Sequence, residues 1–267
     1  MVINTNMSAE TAATNLQRSQ SMLAKSLARL SSGSKLTSPA DDAAGTAVST
    51  RLESQVNRLK AAESNVANAV SFTQTQDGFL QKIGAALDRM SELSISSQDA
   101  TKTDADRALY DKEFQTLAAY VTSASNKDFN GVSLFSTNSL AVTTDGDGGS
   151  FTMNGTDLNS ATYTTVTASN IGTTPAATAA LAIVKAAINQ LAVDRATIGS
   201  YQSRLHFTSD QLTVTAENLT AANSQIKDVD VAQESTQFAR LNILVQAGTS
   251  MLAQANQVPQ TVLKLLQ

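Results

Sequence analysis

Cysteine and tryptophan are absent from this chain of 267 residues, and only 4% of its residues are aromatic. Without cysteine there can be no disulfide and no thiolate-ligated metal site. A core with so few rings is built from Ala, Leu, Ile and Val, which favours helices packed on helices over sandwiches or barrels. Proline is scarce too, with only Pro39, Pro175 and Pro259, so two very long stretches contain no helix breaker.

Clustered positive charge is also missing. The net charge is −4, which argues against a nucleic-acid surface. The first residues lack the basic and apolar regions of a secretory signal peptide. No window reaches the roughly 18 to 20 consecutive apolar residues of a membrane span. These absences suggest a cytoplasmic protein, unless the chain leaves the cell by a route that needs no cleaved signal.

No pattern predicts catalysis, a metal or a cofactor. The single histidine, His206, lies in a helical pattern without an HExxH motif or a His/Cys cluster. Asp145–Gly149 resembles the start of a calcium loop, but Gly149 stands where the next acidic ligand belongs and Thr156 where a Glu belongs. We interpret this segment as a plain turn and expect no enzyme activity.

The chain does contain a long heptad repeat in its C-terminal half. Such a stripe keeps one side of a long helix against a partner. The neighbouring stripe begins with Leu181 and Ile188 and then becomes largely polar, which favours a bundle over a two-stranded coiled coil. The heptad residues are Val184, Leu191, Ile198, Leu205, Leu212, Leu219 and Ile226.

A second long helix is predicted from about residue 40 to about residue 98. Ser38 can cap its first amides and Pro39 suits the first helical position. At 1.5 Å per residue it would be roughly 90 Å long, and such a helix is stable only against neighbours. Thr103–Asp106 opens a shorter helix that runs to about Asn126. The core stripe of the long helix is Leu52, Val56, Leu59, Val66 and Val70.

The segment between the helical halves, residues 132–174, is rich in Thr, Ser, Gly and Asn. Leu140–Thr144 and Tyr163–Thr167 are β-prone, and Asp145–Gly149 between them is a turn signal. We predict a small, exposed β-hairpin insert.

The terminal helices carry apolar faces with little charge, and no charged residue lies between Arg240 and Lys264. A lone helix with such a face gains little until it finds partners. The fold is therefore predicted to be mainly α, a long antiparallel helical rod or coiled coil with a short β-hairpin insert. The assembling residues are predicted to be Leu16, Leu23, Leu27, Leu30, Leu241, Leu244, Val245, Met251, Leu252, Val262 and Leu265.

Several motifs stand in an order that resembles bacterial flagellin over nearly the whole chain. They are Met1–Asn6, Leu30–Gly45, Ala62–Val70, Phe129–Val132, Ala232–Thr236, Ile243–Gly248, Met251–Gln257 and Val262–Leu266. The resemblance implies a short family member in which about 40 residues replace large outer domains. It divides the chain into terminal helices that pair as an inner tube (1–39 and 230–267), a long-helix rod (40–131 and 175–229) and an insert (132–174).

The resemblance also implies function and partners. It implies a structural subunit that is exported through the flagellar type III apparatus and polymerises into the extracellular filament used for motility. The implied partners are other copies of the chain, the cap and hook–filament junction proteins, an export chaperone at the C-terminal helix, and other flagellins in mixed filaments. Arg89, Glu92 and Leu93 fit the segment that animal Toll-like receptors detect in some flagellins, whereas Asp88 and Ser91 depart from it.

Two other classes of protein stay open at this point. A hook–filament junction protein shares similar termini but should not polymerise indefinitely. A monomeric helical adaptor or chaperone of a secretion system should keep its termini ordered alone and bind a client. An enzyme is the weakest interpretation.

Overall fold

The computed structural model describes the backbone of residues 6–265 and the side chains of residues 6–257. The chain divides into two compact units. Unit 1 comprises the residues up to Ser54 together with those from Asn218 onward, and unit 2 comprises Gln55–Glu217. The elements are α1 (Met7–Ser32), α2 (Ala43–Ser97), α3 (Asp104–Ser125), β1 (Asp128–Phe129), β2 (Val132–Ser133), β3 (Leu140–Thr143), β4 (Ser150–Met153), α4 (Ala161–Thr167), α5 (Thr174–Lys227) and α6 (Val231–Leu265). The predicted mainly α fold is confirmed.

In unit 1, α1 and α6 pack antiparallel along one another. The Asn6 side chain caps α1 by accepting from the Ala9 N–H at 3.2 Å, and its Nδ2 donates to the Ala255 carbonyl of α6 at 2.8 Å. Towards the end of α1, Ser26 Oγ donates to Glu234 Oε1 at 2.5 Å. The first residues of α1 thus meet the later part of α6, and the last residues of α1 meet its beginning.

The break after α1 and the break before α6 lie side by side in unit 1. Ser34 and Asp228 form an isolated antiparallel bridge. The Val229 N–H donates to the Gly33 carbonyl at 3.1 Å, and Ser34 Oγ donates to the Lys227 carbonyl at 3.0 Å. Each break therefore satisfies backbone groups that the other leaves without a helical partner.

The start of α2 lies later than predicted. Residues 38–41 form a turn, in which the Asp41 N–H donates to the Ser38 carbonyl at 2.9 Å. The Asp42 side chain then caps the helix by accepting from the Gly45 N–H at 2.9 Å. The Asp41 carboxylate lies in the turn before the helix and pairs with Lys25 of α1. The helix thus begins after the ion pair between Asp41 and Lys25, and not at Ser38 and Pro39 as the local sequence predicts.

In unit 2, α2 and α5 also run antiparallel. Thr213 Oγ1 of α5 donates to Glu63 Oε1 of α2 at 3.1 Å. Arg195 Nε of α5 donates to Asp77 Oδ1 of α2 at 2.8 Å, and this hydrogen bond lowers the pKa of Asp77. The two pairs fix the direction, because the sequence numbers rise along one helix as they fall along the other.

The turn from α2 into α3 is closed by side chains. The helix start predicted at Thr103–Asp106 is confirmed, and a capping box forms there: the Asp106 N–H donates to Thr103 Oγ1 and the Thr103 N–H donates to Asp106 Oδ2. Hydrogen bonds from Thr103 hold the pKa of Asp106 below its usual value. Arg107 is buried and donates to the carbonyls of Ser97 and Asp99 at 2.8 and 2.9 Å. These bonds give the Ser97 carbonyl a donor and the Asp99 carbonyl a second one, beside the Lys102 N–H at 3.3 Å.

The insert contains a β-hairpin whose turn matches the prediction. β3 pairs antiparallel with β4, with Leu140 opposite Met153. Asp145 Oδ1 accepts from the backbone N–H groups of Asp147 and Gly149. That carboxylate therefore stabilises a turn. On α5, Arg204 stacks on the ring of Phe151 at 3.9 Å from the ring centroid, which holds β4 against the helix.

The predicted second strand, Tyr163–Thr167, is wrong, because these residues belong to helix α4. Tyr163 and Val166 lie about one helical turn apart and are both buried. Tyr163 Oη donates to Asp194 Oδ2 on α5 at 2.7 Å, and burial, aided by this bond, raises the pKa of Tyr163. Packing and one buried hydrogen bond have overridden the β propensity of Tyr, Thr and Val.

Among the described helices, α5 alone is long and apolar enough to cross a membrane by length and composition. Its most apolar 18-residue window has a mean hydropathy of 1.5 and is 28% buried. Polar residues interrupt this window, so it contains no continuous apolar run of the kind expected for a membrane span. Val184 and Leu191 of α5 lie in the core of unit 2, and a helix packed in a protein core can pass the same test of length and composition.

Candidate assembly surface

Unit 1 leaves much of its apolar surface uncovered. Among the predicted assembling residues whose side chains the structure describes, only Leu241 is buried, with 4% of its surface exposed, whereas Leu244 and Met251 are 45% and 66% exposed. Val262 and Leu265 lie outside the residues whose side chains the structure describes. The predicted residues that are half-buried are Leu16, Leu23, Leu30, Val245 and Leu252.

A groove of about 600 Å³ runs between α1 and α6. Its large apolar side chains are those of Met7, Leu16, Leu244 and Met251. The remaining lining residues are small or polar, and none is charged: Ser8, Thr11, Ala12, Asn15, Ser19, Ala247 and Gly248. An uncharged groove with apolar anchors is typical of a surface that receives another helix.

Two groove residues were missed as functional positions by the sequence analysis. Met7 precedes the first predicted seam residue. Gly248 was noted only within a family motif, yet a Cβ there would lie 3.1 Å from Leu16 Cδ1 and 3.8 Å from Leu16 Cα. Gly248 therefore allows α1 and α6 to approach closely. The sequence signal for this close approach was a glycine within the apolar helical segment Ile243–Met251.

Three charged residues of the α1–α6 pair, Lys25, Arg29 and Glu234, lie outside the groove and form ion pairs that join α1 to its neighbours. Lys25 Nζ lies 2.5 Å from Asp41 Oδ1, and the hydrogen bond from Lys25 lowers the pKa of Asp41. Arg29 lies between two carboxylates, 4.0 Å from Asp41 Oδ2 and 3.8 Å from Glu234 Oε2. These contacts set the position of α1 without adding charge to the apolar surface.

A second polar set joins α2 to α5 within unit 1. Lys227 Nζ lies 2.5 Å from Glu53 Oε1, and the hydrogen bond from Lys227 lowers the pKa of Glu53. Ser49 Oγ donates to Asn223 Oδ1 at 2.7 Å. Asn223 belongs to the stripe of α5 that begins with Leu181 and Ile188 and then becomes polar. At this position the stripe contacts α2 through a hydrogen bond instead of an apolar side chain.

The predicted rod-core residues differ in burial. The buried ones are Val56, Leu59, Val66, Val184, Leu191, Ile198, Leu205 and Leu212. The half-buried ones are Leu52, Val70, Leu219 and Ile226. Three of these four, Leu52, Leu219 and Ile226, belong to unit 1, where polar pairs between α2 and α5 stand among the apolar contacts.

The predicted receptor-facing surface is wrong for Leu93, which is 2% exposed and belongs to the core of unit 2. Arg89 and Glu92 are exposed. Arg89 donates to Glu113 on α3 at 2.8 Å and to Glu92 at 3.0 Å. Its charge therefore serves contacts within the chain, and receptor contact through Arg89 and Glu92 stays a prediction.

Groups of metal-ligating side chains are absent from the described part of the chain, where no three or more His, Cys, Asp or Glu residues converge. His206 is exposed on α5.

Two family models together match most of the chain. The model described as the bacterial flagellin N-terminal helical region matches residues 3–139, and the one described as the bacterial flagellin C-terminal helical region matches residues 181–266. The unmatched residues between them include β4, α4 and the beginning of α5.

Similar proteins and structures agree with these matches. The chain is 36% identical to the flagellar filament 33 kDa core protein of Treponema phagedenis and 35% identical to a flagellin of Halalkalibacterium halodurans, with full coverage of both chains in each case. The crystal structure of Bacillus cereus flagellin is similar with a TM-score of 0.51 and 26% identity, over 60% of this chain and 94% of that one. The chain therefore belongs to the bacterial flagellin family, the structural proteins of the flagellar filament.

Proposed function

We propose that copies of this filament subunit polymerise through the groove between α1 and α6 and through the exposed apolar residues beside it. The observation that carries the proposal is an uncharged groove of about 600 Å³ with Leu244 and Met251 exposed on one wall. Fully burying a Leu or Met side chain is worth about 1.5–3 kcal/mol. Several such side chains in each contact supply a driving force that the isolated subunit leaves unused.

Seeded polymerisation tests this surface. Purified subunits are mixed with short filament fragments, and growth is followed by sedimentation and electron microscopy. Leu244→Glu places a carboxylate in the groove, where partner packing would bury it unpaired. We expect the concentration needed for growth to rise at least about tenfold, which corresponds to about 1.4 kcal/mol for each subunit added.

The matched control is Gln246→Glu, which adds the same charge to α6 at an exposed position that does not line the groove. We expect it to grow filaments as the unmodified chain does, and both variants to keep the same helical circular dichroism. Equal growth of Leu244→Glu and the unmodified chain would exclude the groove as the assembly surface.

We also propose the domain assignment implied by the family. Residues 1–39 and 230–267 form the inner tube, residues 40–131 and 175–229 form the surrounding rod, and residues 132–174 replace large outer domains. The uncovered apolar faces of α1 and α6 support this assignment. Limited proteolysis should trim both ends of the free subunit and leave them intact in the polymer. Equal resistance in the two states would contradict the assignment.

Export and further partners belong to the same proposal. The subunit leaves the cell through the flagellar type III apparatus and contacts the cap and hook–filament junction proteins in the extracellular filament. An export chaperone binds the C-terminal helix, and other flagellins join mixed filaments. A chain truncated after Val258 should lose the chaperone in a pull-down assay, and retention of binding would refute that site.

A junction protein remains the second candidate, because its similar termini would also pair. The full-length similarity to flagellins and a filament core protein favours the filament subunit. Growth of long, uniform tubes from seeds separates the two functions, since a junction protein stops at short rings.

A further inference from the structure

The thioether groups of the described chain fall into two sets. Met90 and Met153 are buried in unit 2, at 0% and 4% exposure. Met7, Met22 and Met251 are 72%, 42% and 66% exposed, and all three lie on α1 or α6. Among the described residues, accessible thioethers are therefore confined to the helices that the proposed function assigns to assembly.

Met7 and Met251 also share one place. Both line the groove, Met7 from α1 and Met251 from α6, whereas Met22 does not. The other large side chains there are those of Leu16 and Leu244. The thioethers thus supply half of the large apolar contacts that a second copy of the chain would cover.

An exposed thioether reacts with hydrogen peroxide by oxygen-atom transfer. The O–O bond of the peroxide breaks and an S=O bond forms, so that the sulfur loses two electrons and the peroxide is reduced to water. No bond of the protein breaks. The product is a polar, chiral sulfoxide that disrupts interfaces rich in methionine. Covering it without a hydrogen-bond donor costs free energy that the thioether does not.

We propose that Met7 and Met251 form a redox modification site that decides whether the subunit can assemble. A peroxide that reaches the free subunit oxidises both sulfurs and closes the groove to a second copy. Once assembly has covered the groove, the same sulfurs are shielded from the peroxide. The inference rests on the proposed function, because only a groove used for assembly gives these sulfoxides a consequence.

The test uses the full chain with hydrogen peroxide as the oxidant. Free subunits are oxidised until mass spectrometry of peptides shows complete conversion at Met7 and Met251, and are then added to seeds. We expect the concentration needed for growth to rise at least about tenfold. Treatment with methionine sulfoxide reductases for both epimers should restore growth. In preformed filaments, oxidation of Met7 and Met251 should be at least about tenfold slower than in free subunits.

A double variant and a single-site control locate the effect. Met7→Leu with Met251→Leu keeps apolar side chains of similar volume and should grow equally well before and after peroxide. Met22→Leu removes an exposed thioether outside the groove and should remain as sensitive as the unmodified chain. Loss of growth in the oxidised double variant would place the effect at another methionine and overturn the site.

The outcomes also separate this inference from the proposed function. If untreated subunits do not grow on seeds, the proposed function fails and the redox site fails with it. If untreated subunits grow and fully oxidised subunits grow equally well, the redox site alone is overturned.

Discussion

Unit 2 closes its own hydrophobic core, whereas unit 1 does not. The cluster of buried apolar residues described above, from Phe72 to Ile198 in the sequence, lies wholly in unit 2. In the described part of unit 1, Leu241 is the one buried apolar side chain, and three serines make up the buried polar set. The two units differ in composition as well as in packing, because eleven of the twelve Phe and Tyr residues belong to unit 2 and Phe238 alone belongs to unit 1. Rings and several neighbouring elements complete the core of unit 2, whereas the aliphatic faces described on α1 and α6 have only one another.

The largest expected difference between the units comes from deleting a leucine side chain in each. Leu80→Ala removes a side chain with 0% exposure in unit 2 and should lower the free energy of unfolding by about 2–5 kcal/mol, through lost burial and the cavity left behind. Leu27→Ala removes a leucine side chain with 54% exposure in unit 1 and should change the free energy of unfolding by less than about 0.5 kcal/mol. Urea unfolding followed by circular dichroism measures both. Similar losses would show that unit 1 buries Leu27 in solution.

The polar groups of unit 2 should be nearly as sensitive as its core. Arg107→Met removes the guanidinium donor to the Ser97 carbonyl, one of two donors to the Asp99 carbonyl and the ion pair with Asp104. It should lower the free energy of unfolding by about 1–3 kcal/mol. Lys112→Met, an exposed position on the same helix, is the control and should lie within about 0.5 kcal/mol of the unmodified chain. If the two variants unfold at the same urea concentration, the bonds of Arg107 contribute nothing.

Two helical glycines should respond differently to the same substitution. Gly199 in unit 2 has open space where a Cβ would stand, so Gly199→Ala should raise the free energy of unfolding by about 0.5–1 kcal/mol through helix propensity. Gly248→Ala meets Leu16 at 3.1 Å, and we expect this contact to cancel the gain. Thermal and urea unfolding of both variants checks the difference. If both variants raise the free energy of unfolding equally, α1 and α6 can move apart at Gly248 without a loss of stability.

The smallest expected effect is an acid dependence at the ion pair between Asp41 and Lys25 in unit 1. The pKa of Asp41 is lowered in the folded chain, mainly by the hydrogen bond from Lys25. Its ionised form therefore stabilises the fold above the ordinary pKa of 3.8, and this contribution is lost as the pH falls through the lower folded value. Asp41→Asn should flatten the loss of stability below about pH 4.

A double-mutant cycle provides the control for that prediction. In a Lys25→Gln chain the carboxylate has lost its main partner, so adding Asp41→Asn should change the acid dependence little. Urea midpoints between pH 3 and pH 7 measure all four chains. Identical pH profiles for the unmodified chain and Asp41→Asn would show that the pair does not stabilise unit 1.

The long helices could be predicted from the sequence because their signals are local. The absence of proline, the heptad stripe from Val184 onward and the Thr103 capping box each act within a few turns of one helix. Tyr163–Thr167 could not be predicted, because the bond to Asp194 joins residues that the sequence gives no reason to pair. Local propensity decides structure only where tertiary contacts do not compete.

The sequence predicted which helices carry the candidate surface, but not which of its side chains are exposed. Periodicity showed that α1 and α6 each carry an apolar face, but it cannot count the helices that cover that face. Leu241 and Leu244 look alike in the sequence, yet one is buried and the other is exposed. Leu93 was predicted to face a receptor because its segment resembles one that receptors detect in some flagellins, and that resemblance does not reveal that the core of unit 2 encloses the side chain.

The bridge between Ser34 and Asp228 fixes how α1 and α6 are rotated about their axes relative to one another. An α-helix advances about 100° and 1.5 Å with each residue. Inserting one residue into either break would rotate one helix against its partner by that angle and turn Leu16 or Leu244 out of the groove. The lengths of the two breaks, about 190 residues apart in the sequence, therefore cannot change independently. A deletion in one break is tolerated only where a change in the other break restores the relative rotation of α1 and α6.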